Sequence, residues 1–525
     1  MSTFLHKNFT KLFVAALLVF SLGGTASPIN AQTEDNPENL NTTLEEPNLV
    51  FPIISDTQLG RAEGDPERFE NAMKQLNQLV PKQDAFVFIG DLTSNGYEEE
   101  YDTWSSIFNK HVQPQAEQFI GIGNHEHSND LTPEEAQQRF LNETGMESLY
   151  YHKNIKDYDF IMMGEERGYF YSEEQIQWLG NQLKQSEQRD PNKPIFVFIH
   201  HGMKDTTYGT EDWYIENENQ KLLQETLEKY PQVVLVSGHT HYPVSDPRSI
   251  YQNDYTAVNA GSISYMWTEK GYLQGEVPEA EVSNGLVVKV YDDEVIIERR
   301  NFTGNRWIQD PWVIETPVKS KEDFKYTDDR DQESPYFHRD ANISVSQMTT
   351  DSLNISFPQA FDNLLTHSYQ VTAKNQQNGE IVNQYKAFSE YYKGEVPSSL
   401  EFPVNNLQPA TAYQINVQAI DAFGNVSNEL TTTAATLAES VPEMQEIVIH
   451  FEDDGAFVNN GIVQSLKAQL NTVNRFVENN SSEKSIKHMN KVKSLLDHRK
   501  EKNQMSDNAY HYLMTNADYL INKWK

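Results

Sequence analysis

Cysteine is absent from all 525 residues. That excludes disulfides, thiolate metal sites, a cysteine nucleophile and lipid attachment through an N-terminal cysteine. Positive charge is scarce: 42 Lys and Arg stand against 77 Asp and Glu, for a formal net charge of −35. A chain this acidic is repelled by nucleic acid and by anionic membrane surfaces, so no nucleic-acid binding is expected. Long apolar runs are missing as well. The best candidate, Leu12 to Phe20, is shorter than the ~20 residues a membrane span needs. With Lys7 and Lys11 around its start and Ile29-Asn30-Ala31 after it, this stretch reads as a secretory signal peptide over 1–31. The expectation is a secreted, extracellular protein with no membrane span once the signal is removed.

The length suits several domains, since one core rarely organises so many residues. Residues 32–47, rich in Asn, Glu, Thr and Pro, read as a disordered leader. Over 48–316, short β-prone runs alternate with helical patterns, as in an α/β domain. Strands are predicted at 49–54, 85–89, 118–122, 158–163, 195–199 and 232–236, then at 255–259, 285–291 and 294–300. Between the first two, Phe69, Ala72, Met73, Leu76 and Leu79 recur at helical spacing. Similar patterns lie near 134–144, 174–184 and 219–229. Residues 317–334 are charged and turn-rich and read as a linker.

From 335 to 437 the pattern is all-β. Leu353 to Phe357 and Tyr413 to Ala419 alternate cleanly. Leu407 to Tyr413 resembles the corner entering strand F of a sandwich, where a tyrosine hydroxyl bonds back to the backbone. This region resembles a fibronectin type III domain, with Phe357 where that family often has a core tryptophan. Residues 441–525 carry three apolar stripes: Ile462 to Val477, Ile486 to Leu496 and Leu513 to Trp524. They predict a small three-helix bundle, and Phe451 to Leu470 resembles a FIMAH module.

Metal-binding residue types gather in five short segments of the first domain, each after a predicted strand. They are Asp56-Thr57-Gln58, Gly90-Asp91 with Ser94 and Gly96, Gly123-Asn124-His125-Glu126, His200-His201-Gly202 and Gly238-His239-Thr240-His241. In open α/β sheets the carboxyl ends of the strands line one edge, where sites form. Carboxylate, amide and imidazole donors suit Zn, Fe, Mn or Co. Each residue alone has an ordinary explanation: Asp56 as a helix cap, Asn124 in a turn, the histidines on the surface. All five segments in this order do not.

In that order the segments resemble the motifs of the calcineurin-like metallophosphoesterases. The resemblance implies a β-sandwich flanked by helices and two divalent metal ions, of Mn, Fe or Zn, at the strand ends. It implies that Asp91 bridges both ions, that Asp56, Gln58 and His241 complete the first, and that Asn124, His200 and His239 complete the second. His125 would face the phosphate as the catalytic residue, with His201 beside the ligands and not among them. The paired ions would clamp the phosphate ester substrate and lower the pKa of an attacking water. Two positions depart from the family pattern. Gln58 stands where histidine is usual and, as a neutral amide donor, favours Mn or Fe over Zn. Ser94 stands where many members have an aspartate that orients the catalytic histidine. The expected activity is phosphodiesterase or phosphatase. The alternative is a surface-binding protein whose phosphoesterase domain is degenerate. In either case the two C-terminal modules are candidates for contact with cell wall or polysaccharide.

Overall fold

The computed structural model describes residues 46–525 except 212–216 and 278–281. The expected signal peptide, and all but the last two residues of the leader, lie outside the described residues.

In chain order the first domain runs β1 (Leu49–Ile54), α1 (Asp65–Leu79), β2 (Ala85–Ile89), α2 (Glu98–His111), β3 (Glu117–Gly121), α3 (Pro133–Thr144), β4 (Tyr150–Ile155), β5 (Tyr158–Met163), α4 (Glu173–Arg189), β6 (Ile195–Ile199), α5 (Glu218–Leu227) and β7 (Val233–Ser237). It continues through β8 (Ile250–Gln252), β9 (Thr256–Asn259), β10 (Asn284–Val290), β11 (Glu294–Asn301), β12 (Arg306–Trp307) and β13 (Trp312–Glu315). A seven-stranded sheet has the order β12-β11-β10-β1-β2-β3, with β13 on β11. A six-stranded sheet has the order β4-β5-β6-β7-β9-β8.

Strand sequence explains the layering. Successive side chains of a strand point to opposite faces. In β2, Ala85, Val87 and Ile89 enter the core between the sheets, while Phe86 and Phe88 pack under the helices outside. In β6, Phe196 and Phe198 point inward, and Ile195, Val197 and Ile199 face the helices. With both faces covered, these strands read as unbroken apolar runs. Between the sheets Phe51 meets Phe160 and Phe196 edge-on, with centroids 4.8 and 5.1 Å apart. Two parallel runs, β1-β2-β3 and β5-β6-β7-β9, thus end side by side.

Most predicted elements are present within a residue or two. Helix α2 was not visible in the sequence pattern: Tyr101, Trp104, Ile107 and Phe108 carry its apolar face among charged and polar neighbours. Residues 317–334 are turn-rich, as expected of a linker, yet they pack on the first domain. Tyr326 and Phe324 lie against the inter-sheet core, Gln252 Oε1 accepts from the Lys325 and Tyr326 amides, and Arg330 reaches the Pro247 and Ile250 carbonyls.

The all-β region folds as β14 (Ser344–Ser346), β15 (Leu353–Pro358), β16 (Thr366–Asn375), β17 (Ile381–Phe388), β18 (Ser399–Val404), β19 (Ala412–Asp421) and β20 (Leu430–Ala435). Its sheets are ordered β14-β15-β18 and β17-β16-β19-β20. The Tyr413 hydroxyl accepts from Gln408 N at 2.7 Å, which makes the expected corner. Phe357 fills the core edge-on to Tyr369. The C-terminal bundle has four helices where three were expected: α6 (Val441–Asp453), α7 (Asn460–Glu478), α8 (Ser482–Glu501) and α9 (Asp507–Trp524). The additional helix, α6, begins at the Ser440 cap and buries Met444, Ile447, Val448 and Phe451. Sandwich and bundle share one continuous core. Among the described residues no helix is long and apolar enough to cross a membrane.

Candidate metal centre

The five ligand-bearing segments meet where the two parallel runs end. Asp56 and Gln58 follow β1, Asp91 follows β2, and Asn124 and His125 follow β3. From the other sheet, His200 follows β6, and His239 and His241 follow β7. The loops are stitched together by main-chain bonds. Asp56 N donates to Gly90 O at 3.2 Å, Gln58 N to Asp91 O at 3.0 Å and Gly238 N to His200 O at 3.0 Å. Two glycines permit this closeness. A Cβ on Gly123 would lie 2.3 Å from Asp91 Oδ1, and one on Gly238 would lie 2.1 Å from Ser55 Oγ.

The side chains form two groups with Asp91 between them. On one side, His241 Nε2 lies 3.1 Å from Asp56 Oδ1 and 3.3 Å from Gln58 Nε2. Gln58 Nε2 is 3.4 Å from Asp91 Oδ2. On the other, His200 Nε2 is 3.2 Å from both Asp91 Oδ2 and Asn124 Oδ1, and its ring lies 5.2 Å from that of His239. Asp56, Asp91 and His200 bring one donor atom each within 4.8 Å, as do His200, His201 and His239. All seven expected ligand residues are therefore in one cluster.

The donor set fits divalent ions. Asp56 and Asp91 are fully buried carboxylates, and Gln58 Oε1 is buried with no hydrogen-bond partner. The rings are turned so that one nitrogen faces the cluster. His200 Nδ1 donates to Ile89 O at 2.7 Å and His241 Nδ1 to Tyr265 O at 3.1 Å, leaving each Nε2 for the cluster. Burial works against ionising Asp91, but the His200 and His125 imidazoles outweigh it and hold the carboxyl well below its usual range. Burial, with His201 and His200 adding to it, holds His239 well below the usual imidazole value, which keeps its ring neutral and able to bind a cation.

His125 stands at the rim, half-buried, with its Nε2 3.9 Å from Asp91 Oδ2. Its Nδ1 donates to the Ser94 main-chain carbonyl at 2.7 Å. At the position where many family members have an orienting aspartate, the main chain of Ser94, and not its side chain, holds the ring.

Sequence reasoning missed two buried acids. Glu126 Oε2 accepts from the Asp91 and Gly123 amides, and its Oε1 from the Thr93 amide and hydroxyl, all at 2.8–3.0 Å. Burial and the nearby Asp91 push its carboxyl up to about 7. Glu165 Oε1 accepts a hydrogen bond from His201 Nδ1. The adjacent GNHE pattern could have pointed to Glu126. Nothing local marks Glu165. Tyr169 and Tyr265 flank the cluster, the first 3.8 Å from the His201 ring and the second 4.3 Å from that of His241. Tyr242 is buried beneath, edge-on to Tyr208. His111 and His152 are hydrogen-bonded to Glu70 and Asp159, away from the cluster.

Comparison with known proteins finds three families along the chain. The family model for calcineurin-like phosphoesterases matches residues 50–243, that for the fibronectin type III domain 339–433 and that for the FIMAH domain 441–522. A probable glycerophosphodiester phosphodiesterase, GpdQ, of Arcobacter nitrofigilis is 32% identical over 181 residues, 33% of this chain and 61% of the relative. Probable purple acid phosphatase 20 of Arabidopsis thaliana is 29% identical over 287 residues, 49% of this chain and 61% of the relative. The chain thus spans about three fifths of the length of these curated relatives. Among solved structures, a purple acid phosphatase, PPD1, from yellow lupin seeds aligns at 17% identity and a TM-score of 0.36, over 51% of this chain and 55% of that one.

Proposed function

We infer that this chain, whose first domain is of the calcineurin-like metallophosphoesterase type, is a secreted hydrolase of phosphoric esters that works with two divalent metal ions. The observation that supports it is the convergence of seven donor residues from five loops, with Asp91 reaching both halves of the cluster. Asp56, Gln58 and His241 would hold one ion, Asn124, His200 and His239 the other, and Asp91 both. When bound, such a pair supplies Lewis-acid stabilisation of phosphate oxygens and a nucleophilic water at neutral pH. The protein's own part is orientation and proton handling. The Ile89 and Tyr265 carbonyls fix the His200 and His241 tautomers. Glu126 anchors the loop amides that carry Asp91 and Asn124. His125, with Nδ1 held by Ser94 O, keeps Nε2 for a phosphate oxygen or the leaving group, where it acts as general acid.

The substrate class follows the relatives' names, a phosphodiester or a phosphomonoester. The test is elemental analysis of the purified protein, then hydrolysis of nitrophenyl mono- and bis-esters with added Mn, Fe or Zn. Two metals per chain, and turnover reduced at least ~10–100-fold in Asn124→Ala, are the expected results. Failure of every metal to give turnover above that variant would instead favour the surface-binding reading, which the two C-terminal modules and the altered Gln58 and Ser94 support. Retention of the protein on cell-wall polysaccharide through residues 335–525 is the accompanying proposal. A pull-down on wall material in which the full chain is not retained sinks it.

A further inference from the structure

A second group of ligand-type side chains shares no residue with the first. Asp331 belongs to the segment after β13, Asp362 to the loop between β15 and β16, and Asp421 ends β19. One carboxylate oxygen of each lies within 4.8 Å of the others. Asp331 is 3% exposed and Asp421 2%.

Hydrogen bonding accounts for only part of these carboxylates. Asp331 Oδ1 accepts from Glu333 N and Asn363 Nδ2, each at 3.1 Å. Its Oδ2 is buried and accepts nothing. Asp362 Oδ1 accepts from Leu364 N and Leu365 N at 2.9 and 2.7 Å, and its Oδ2 is likewise buried without a hydrogen bond. Asp421 accepts from Phe423 N and Asn425 N at 2.8 Å and from Asn425 Nδ2 at 2.7 Å. Arg330, next in sequence, gives its guanidinium to the Ile250 and Pro247 carbonyls at 3.1 and 2.6 Å. Among the described residues no Lys, Arg or His forms an ion pair with any of the three acids. Carboxylates gathered out of water with no counter-charge are unfavourable unless a cation joins them.

We propose that Asp331, Asp362 and Asp421 bind Ca²⁺, and that the ion pins the 317–334 segment to the fibronectin-like sandwich. The set is oxygen-only, which suits a hard cation and not the imidazole-preferring metals. Ca²⁺ takes oxygen ligands at ~2.3–2.6 Å in flexible geometry, whereas Mg²⁺ demands a near-ideal octahedron at ~2.0–2.1 Å. Three carboxylates from three separate segments, with donor oxygens all within 4.8 Å of one another, can share the more tolerant sphere. The 317–334 segment is already tied to the first domain through Arg330 and Tyr326, so the ion would connect catalytic domain and sandwich. This site is independent of the phosphoesterase reading.

The test is equilibrium dialysis of the full chain against radioactive Ca²⁺, with Mn²⁺ present to fill the first cluster and Mg²⁺ as competitor. Wild type and Asn124→Ala are expected to bind one Ca²⁺, within the ~10⁻⁴–10⁻³ M range of extracellular modules. Asp331→Asn and Asp362→Asn are expected to bind at least ~10-fold more weakly, with ester hydrolysis unchanged. Asp362 is only half-buried, so its variant guards against misfolding. A second readout is thermal. Added Ca²⁺ should raise the wild-type unfolding midpoint by roughly 2–4 °C and leave Asp362→Asn unmoved. Without Ca²⁺ that variant should melt no lower than wild type, because like charges are removed. Equal Ca²⁺ binding by wild type and both variants, loss of binding in Asn124→Ala alone, or no binding up to about 10 mM would overturn the proposal.

Discussion

Asp56, Gln58, Asp91, His239 and His241 all hold positive φ angles, from 41° at Gln58 to 65° at His239. A non-glycine residue in that region costs ~1–3 kcal/mol, and such residues persist only where surrounding structure holds them. Here the holding contacts are identifiable. Asp56 Oδ2 accepts from His239 N at 3.1 Å, and Glu126 fastens the Asp91 amide. Glu126→Gln would turn a donor amide toward some of the four protons its carboxylate now accepts. The expected result is a loss of ~10–100-fold in activity or metal affinity with little change in far-ultraviolet dichroism, checked by kinetics and metal titration. Gln58→His restores an imidazole beside His241 and Asp56. It should shift metal preference toward Zn, read by competitive metal loading followed by elemental analysis.

The elements act by bringing those residues to one edge. Strand β1 pairs with β2 on one side and β10 on the other, and its Phe51 is fully buried against the opposite sheet. Phe51→Ala removes a ring that touches Phe160, Phe196 and Phe198. Such truncations cost ~3–5 kcal/mol, so the denaturant midpoint of the first domain should fall accordingly. Because β1 leads directly into Asp56, hydrolysis should weaken as well. At α3, Thr132 and Glu135 cap each other's amides at 3.3 and 2.9 Å. Losing that exposed cap affects stability alone, by ~0.5–2 kcal/mol.

At the scale of the whole molecule, the sandwich is docked on the first domain. Tyr272 stacks on Phe388 at 3.9 Å, and Gln274 bonds both the amide and carbonyl of Phe388. His367 of the sandwich is buried in this contact near Asp246 and Glu269 of the first domain. Burial first, then the Arg248 guanidinium, lowers its imidazole to about 3, against the opposing pull of Asp246. The unfolded chain takes up a proton near pH 6.5, whereas the folded chain does so only near 3. Stability from this group is therefore complete above pH 6.5 and is lost as pH falls toward 3. Replacing His367 with Asn should lessen the drop in unfolding midpoint between about pH 7.5 and about pH 4.5, measured by calorimetry.

Much of this protein was legible locally. Unbroken apolar runs such as Ile195 to Ile199 read as covered strands because burial on both faces demands it. The ligand segments stood out because each follows such a strand, and the corner at Tyr413 carried its own local pattern. Helix α2 was missed because its apolar residues are few among charged and polar neighbours, and α6, though rich in apolar residues, because its buried face is defined by the shared core of sandwich and bundle. Sequence alone determined which side chains could bind metal and which strands would carry them. Tertiary structure alone decided that Glu126 and Glu165 steady the site, that the Ser94 carbonyl aims His125, and that Asp331, Asp362 and Asp421 meet. Those contacts join residues distant in the chain. Their energetics rest on burial and on main-chain atoms, neither of which residue type or spacing encodes.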